Sequence, residues 1–313
     1  VPLGANRFMH LISPLIAAVT AIVGFAVIPF GGVYHFGDTT LSLVVANPDW
    51  GLLYIFAIGS LATYGTVLAG WSSNNNWSLL GSMRASAQMI SYEVTMGLSV
   101  VGVFMVFHTL KLPDMALAQD QTFRLLGFLD RVFGLPVPAW LDWLRLPAWG
   151  IFYQPLAFLM FLAAIMAENK RPPFDTPEGE SELIAGFHLE YSGMRFGLFY
   201  MSEFIEVVVI AGLVATMFLG GWAIPWLSTG AIIAGVGSVF GTGFATGLCI
   251  LLHFGCFMTK VVAMIWLQMS LRWTLPRFRY DQVMDLCWKI LLPLSLANIF
   301  VTALVMLIFG ERA

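Results

Sequence analysis

Residues 196–219, FGLFYMSEFIEVVVIAGLVATMFL, form an apolar run whose only charges are Glu203 and Glu206. At about 1.5 Å of rise per helical residue, this run can cross a hydrocarbon core about 30 Å thick. Similar runs occur near residues 8 to 28, 51 to 70, 83 to 107, 148 to 167, 244 to 268 and 287 to 309. The pattern predicts an all-α polytopic transmembrane helical bundle with seven spans, forming one membrane domain over 1–313. The stretch from 8 to 28 is too long and too weakly flanked for a cleaved signal peptide and reads as a membrane helix.

Composition agrees with that reading. Apolar residues make up 59% of the 313 and charged residues 11%, against roughly 45–50% and about 25% in soluble domains. Trp50, Trp71, Trp149, Trp222, Trp226, Trp273 and Trp288 sit near the ends of the runs, where an amphipathic ring suits the headgroup layer. Lys and Arg number 15 against 18 Asp and Glu, a net charge of −3, which leaves no basic surface for nucleic acid. Cys249, Cys256 and Cys287 all lie in apolar runs and form no disulfide framework. No repeat suggests duplicated transporter halves.

Arg7, Arg84, Lys170, Arg171, Arg195, Arg272, Arg277 and Arg279 fall in alternate loops, which the positive-inside rule places on the cytoplasmic side, with Lys289 just inside a helix. The opposite loops near 29 to 50 and 220 to 243 lack Lys and Arg, although 108 to 147 carries four basic residues. Within that longest outer loop, LDRVFGLPVPAWLDWL is expected to form a short interfacial helix.

A charge at the bilayer centre costs roughly 2.5 to 3.5 kcal/mol on insertion scales, so its retention calls for a reason. Counting from Arg195, Glu203 lies roughly 12 Å deep and Glu206 roughly 16 Å, on one helix face. Glu93 lies roughly 13 Å beyond Arg84, and Lys260 roughly 18 Å before Arg272. Glu168 ends the fourth span and Glu190 follows in the next loop. A glutamate cluster with one lysine can exchange protons near neutral pH, which is the chemistry of a proton relay. The alternative is a structural ion pair between Lys260 and one glutamate. Cys249, His253 and Cys256 share a helical face, but three such residues on an apolar helix more commonly pack than bind metal, and no metal is expected.

AENKRPPFDTPEGESELIAGFHLEYSGMRF, residues 167–196, is the most polar stretch and lies between two spans on the positive side. Pro172, Pro173 and Pro177 forbid a continuous helix, while Thr176 and Pro177 could start a short one whose dipole Glu178 and Glu180 would complement. This stretch resembles the signature loop of one membrane-subunit family of respiratory complex I, NADH:quinone oxidoreductase: the H subunit of bacteria, numbered 1 in mitochondria. YGTVLAGWSSNNNWSLLGSMRASAQMISYEV at 64–94, LGGW at 219–222 and LPRFRYDQVM at 275–284 are similar to further family segments.

The resemblance implies that Glu93, Glu168, Glu190 and Glu203 occupy the polar channel leading from the quinone chamber, and that Lys260 matches the family's membrane lysine. Glu206 has no assigned counterpart and joins the proton-path set on depth alone. Arg171, Pro173, Phe174, Asp175, Glu178, Glu180 and Glu182 match the loop bordering the chamber. Arg84, Arg195, Arg272, Arg277, Arg279 and Asp281 are expected to make cytoplasmic contacts. The family has eight spans, one of them preceding residue 8, so the sequence is expected to lack that helix.

By the same resemblance, quinone is substrate, while NADH, FMN and Fe-S clusters belong to partner subunits of the peripheral arm. This chain, bound to neighbouring membrane-arm subunits in a bacterial inner membrane rather than a mitochondrial one, would hold no cofactor and no catalytic residue of its own. Two other readings stay open: the homologous membrane subunit of a hydrogenase or formate hydrogenlyase, and a stand-alone proton or ion transporter.

Overall fold

The computed structural model describes residues 4–36, 39–124, 145–176, 186–227 and 229–310. The expected interfacial helix within 129–144, the short helix after Thr176, and Glu178, Glu180 and Glu182 lie outside the described residues.

The first apolar run forms α1 (Arg7–Gly24), capped by Asn6, whose Oδ1 accepts from the Phe8 and Met9 amides. Its side chains are sorted in the reverse of a soluble helix. Leu11, Leu15, Val19 and Ile22 make an exposed stripe, whereas His10, Ser13, Ala17 and Thr20 turn inward. Lipid takes the apolar stripe, and small or hydroxylic residues let helices approach closely. Thus the Ser13 hydroxyl donates to Gly65 O of α2 (Gly51–Ser72) at 2.6 Å.

α3 (Asn76–Phe107) begins well before the expected residue 83, because Asn75 caps it by accepting from the Trp77 amide at 3.0 Å. It ends at His108, whose φ of 54° turns the chain. α4 (Leu112–Ala118) follows on the outer side, near which Lys111 pairs with Asp49 at 2.7 Å. The fourth run is interrupted. A single turn, α5 (Gly150–Tyr153), stops at Gln154, and Pro155 opens α6 (Pro155–Glu168).

α7 (Met194–Phe218), α8 (Thr229–Phe240) and α9 (Thr242–Thr274) follow. Helix α8 occupies what hydropathy places in an outer loop. α10 (Tyr280–Asp285) continues through a π-helical stretch, Leu286–Leu291, into α11 (Leu292–Gly310). Among the described residues, six helical segments are long and apolar enough to cross a membrane, and the shorter apolar α6 stands where the fourth span was expected. The outer segment after α1 forms an antiparallel hairpin, β1 (Val33–Phe36) with β2 (Thr39–Ser42), and β3 (Thr122–Arg124) pairs with β4 (Arg145–Pro147).

α3 is the centre of the bundle, packing on α2, α6 and α11, while α1 packs on α2 and α7, and α9 on α7 and α8. Tyr92, Met160, Phe161, Phe218 and Phe257 fill the core between them. Close approaches depend on glycine. A Cβ at Gly81 of α3 would lie 2.8 Å from Gly186 Cα, so the far limb of the polar loop between α6 and α7 rests directly on the helix backbone. The Ser78 hydroxyl donates to Phe187 O beside it at 3.0 Å.

Candidate functional site

The polar loop that follows α6 is fastened to the bundle from several sides. Lys170 has a φ of 52° and turns the chain out of α6, with its ammonium 4.9 Å from the centre of the Phe187 ring. Arg171 stacks 4.9 Å above Phe204, and its Nη2 lies 3.6 Å from Glu203 Oε2. Asp175 is held by Arg277, which donates to the Asp175 carbonyl and lies 3.9 Å from its carboxylate. The Phe278 amide donates to Pro173 O at 3.0 Å, and the Phe174 ring sits between Tyr92 and Phe278.

From beneath, the fully buried Gln88 of α3 donates through Nε2 to Ala167 O and Phe174 O, each at 2.8 Å, while Thr176 Oγ1 donates to Gln88 Oε1. The residues expected to make cytoplasmic contacts lie at the same end of the bundle as this loop. Arg84 lies 5.7 Å from the Tyr280 ring, and Arg195 Nη1 contacts His10 Nδ1 at 3.2 Å. His10 in turn stacks on Tyr191 at 3.9 Å, and burial pushes the Tyr191 hydroxyl above its ordinary pKa. Glu190 accepts from Asn75 Nδ2 at 2.8 Å, which ties the loop to the α3 cap. Arg272, Arg279 and Asp281 are exposed at the same end.

Below the loop, α6 delivers Glu168, α7 delivers Glu206 and α3 delivers Glu93 into one electrostatic neighbourhood. Glu168 is only 3% exposed. The charges of Glu206, Glu93 and Lys170 all act on it, and Lys170 and Glu93 act on Glu206. The Ser60 hydroxyl of α2 lies beside Glu93 and donates to Phe56 O at 2.9 Å. Glu168, Lys170 and Glu206 line a cavity of about 60 Å³ whose remaining walls include Phe56, Gly59 and Ile165. Glu168 Oε2 and Glu93 Oε1 have no hydrogen-bond partner among the described residues. A buried carboxylate oxygen without a partner is costly, and Glu168 sits in the wall of a cavity otherwise lined mostly by apolar side chains.

Two helix neighbours therefore divide. Glu203 faces Arg171 and the loop, whereas Glu206, three residues on, faces the cavity. Lys260 does not join the glutamates. Its Nζ donates to Gly221 O at 2.9 Å and Ala223 O at 2.7 Å, and lies 5.0 Å from the Trp149 ring. Its depth along α9 matched theirs, but the chain past α7, turned by positive φ at Gly220 and Gly221, bends back to meet it. Its acidic neighbour is Asp120 on the outer side. Burial raises the Asp120 pKa, and the Thr229 hydroxyl and Lys260 ammonium partly oppose that rise.

Cys249 Sγ lies 3.7 Å from His253 Nε2, but Cys256 does not join them. The His253 Nδ1 bonds Tyr34 Oη at 2.5 Å, with burial pushing the Tyr34 phenol up to about 12, and the Cys256 thiol turns to Ala223 O at 3.5 Å. Among the described residues no three His, Cys, Asp or Glu side chains group as metal ligands.

Three residues of this neighbourhood carry little signal in the sequence. Lys170 reads there only as a marker of sidedness, although it directly follows the MAEN segment, which is the one available cue. Gln88 and Ser60, a neutral glutamine and a serine, give none.

Taken together, these helices and buried acids define a multi-pass membrane protein that holds a cluster of acidic side chains inside its helical bundle, next to a fastened polar loop. The family model described as NADH dehydrogenase matches residues 1–303, and the chain belongs to that family. It is 42% identical to an NADH-quinone oxidoreductase H subunit of Geobacter metallireducens, over 98% of this chain and 78% of the relative. It is also 42% identical to the NADH-quinone oxidoreductase H subunit of Bdellovibrio bacteriovorus, over 98% and 80%. An H subunit of the same enzyme from Cytophaga hutchinsonii is 39% identical over 99% and 80%.

Proposed function

We propose that this chain is the quinone-facing membrane subunit of a proton-pumping NADH:quinone oxidoreductase in a bacterial inner membrane. It couples quinone reduction to proton movement and carries no redox centre itself. NADH, FMN and the Fe-S clusters belong to peripheral-arm partners, so enzymatic activity is a property of the complex. The names of its relatives support the reading, and one observation carries it: Glu93, Glu168 and Glu206, from three helices, share a buried neighbourhood directly below the loop that bears Arg171 and Asp175.

In this reading quinone is reduced beside the loop by electrons from a partner subunit, and its change of charge acts on Arg171 and Asp175. Arg171 loosens or tightens its hold on Glu203 accordingly. The coupled acids respond because a proton gained by one changes the field at its neighbours. Lys260 belongs to a different part of the molecule and serves to fasten the outer end of α7, where a cation also suits the helix dipole.

The test is Glu168→Gln in the assembled complex, with NADH oxidation by quinone and proton uptake measured in sealed membrane vesicles. Both rates should fall while assembly persists. Wild-type rates in both assays would remove the acid cluster from the mechanism.

A further inference from the structure

The Gln88 amide uses both of its ends. Nε2 donates to Ala167 O, the residue before Glu168, and to Phe174 O in the loop, while Oε1 accepts from Thr176. One fully buried side chain thus spans the end of α6 and the segment carrying Arg171 and Asp175. Hydrophobic packing could hold the two together, but it is non-directional and would let them slide. Two carbonyls and a hydroxyl fixed on a planar amide cannot slide without leaving a buried polar group unmet. The other fastenings of the loop, Arg277 with Asp175, Arg171 with Glu203, the Phe278 amide on Pro173 O and the Phe174 ring between Tyr92 and Phe278, tie it to α7, α3 and the segment before α10, whereas Gln88 alone among these also binds the end of α6.

We propose that Gln88 is a positioning residue that fixes the spacing between Glu168 and the Arg171–Asp175 segment, so that the chamber loop and the acid cluster move as one body. The proposal rests on the functional reading above. Gln88 is fully buried and acts through the loop rather than by touching quinone.

The experiment uses the whole complex in membrane vesicles with a short-chain ubiquinone as acceptor. Gln88→Met keeps length and volume but removes all three bonds, and it should raise the KM for quinone about fivefold while kcat changes less. Gln88→Glu gives a distinguishing signature. As a carboxylate it repels the two carbonyls, but when protonated it can donate to one of them. Its KM relative to wild type should therefore fall back as pH is lowered, a response Gln88→Met lacks. Thr176→Val, which deletes only the hydroxyl, should raise KM in the same direction by less, and it decides the matter with Gln88→Glu should Gln88→Met not assemble. An unchanged KM in Thr176→Val, or a pH-independent ratio for Gln88→Glu, overturns the proposal. Glu168→Gln, assayed alongside, separates the two ideas: full pumping there refutes the functional reading, whatever the Gln88 variants do.

Discussion

Arg171 Nη2 stands 3.6 Å from Glu203 Oε2, with side-chain exposures of 16% and 8%. Removing one partner of such a buried pair strands the other charge, at a cost on the order of 3 kcal/mol, whereas removing both is far milder. Glu203→Gln and Arg171→Met should each lower quinone reductase activity severalfold, and the double variant should recover part of it. A double variant as impaired as the sum of the singles would show that the two residues act independently.

Glu206→Gln is expected to behave differently, although it lies one helical turn from Glu203. Its carboxyl faces the cavity with Glu168 and Lys170, so the loop stays in place and the KM for quinone is kept. Proton translocation should drop by roughly tenfold or more, as loss of a positioned proton-transfer group typically produces. Vesicle acidification measured beside quinone turnover separates the outcomes, and equal KM changes in Glu203→Gln and Glu206→Gln would contradict this division.

Lys260→Met takes the ammonium donor from Gly221 O and leaves Ala223 O with the weaker Cys256 thiol alone, at about 1–3 kcal/mol for the carbonyl left unmet. The expected result is a less stable complex on detergent titration, with an unchanged ratio of protons moved to electrons transferred in whatever assembles. A stable complex with a reduced ratio would instead return Lys260 to the proton path.

Asp120 gives a pH dependence with a definite sign. Its folded pKa is raised above the ordinary 3.8, chiefly by burial, so the folded state binds its proton more tightly than the unfolded state does. The associated stabilisation is complete below the ordinary value and disappears as pH rises through the raised one. Asp120→Asn should remove that slope. Thermal stability of the purified complex across mildly acidic pH checks it, and parallel curves for variant and wild type would exclude the assignment.

Much of the fold was legible because lipid imposes a simple rule: a span must be long and apolar. The runs at 8 to 28 and 196 to 219 needed little else. The fourth run hid its break, since Gln154 interrupts it without changing the mean hydropathy, and its side chain is satisfied by Asn298 and Thr302 from α11. Helix α8 was missed because Thr229–Phe240 is too short to register as a span.

The site was legible in part. Charges at depth stand out, so Glu93, Glu203 and Glu206 can be singled out by counting residues, but counting gives depth and not azimuth. Glu203 and Glu206 therefore read as one unit, and Lys260 as their partner, when the direction of each side chain separates them. Gln88 could not be found at all, because its role is set by the backbone groups of residues 167 and 174, far away in sequence.

The bare backbone contact between Gly81 and Gly186 has a mechanical consequence. With no side chain between helix and loop, the joint has no slack, and even a methyl group at 81 would act as a wedge. It would prise the far limb of the loop off α3 and pull Phe187 from Ser78, while the near limb stayed fastened by Gln88. The protein would then be bent at this end of the bundle without losing any ionisable group.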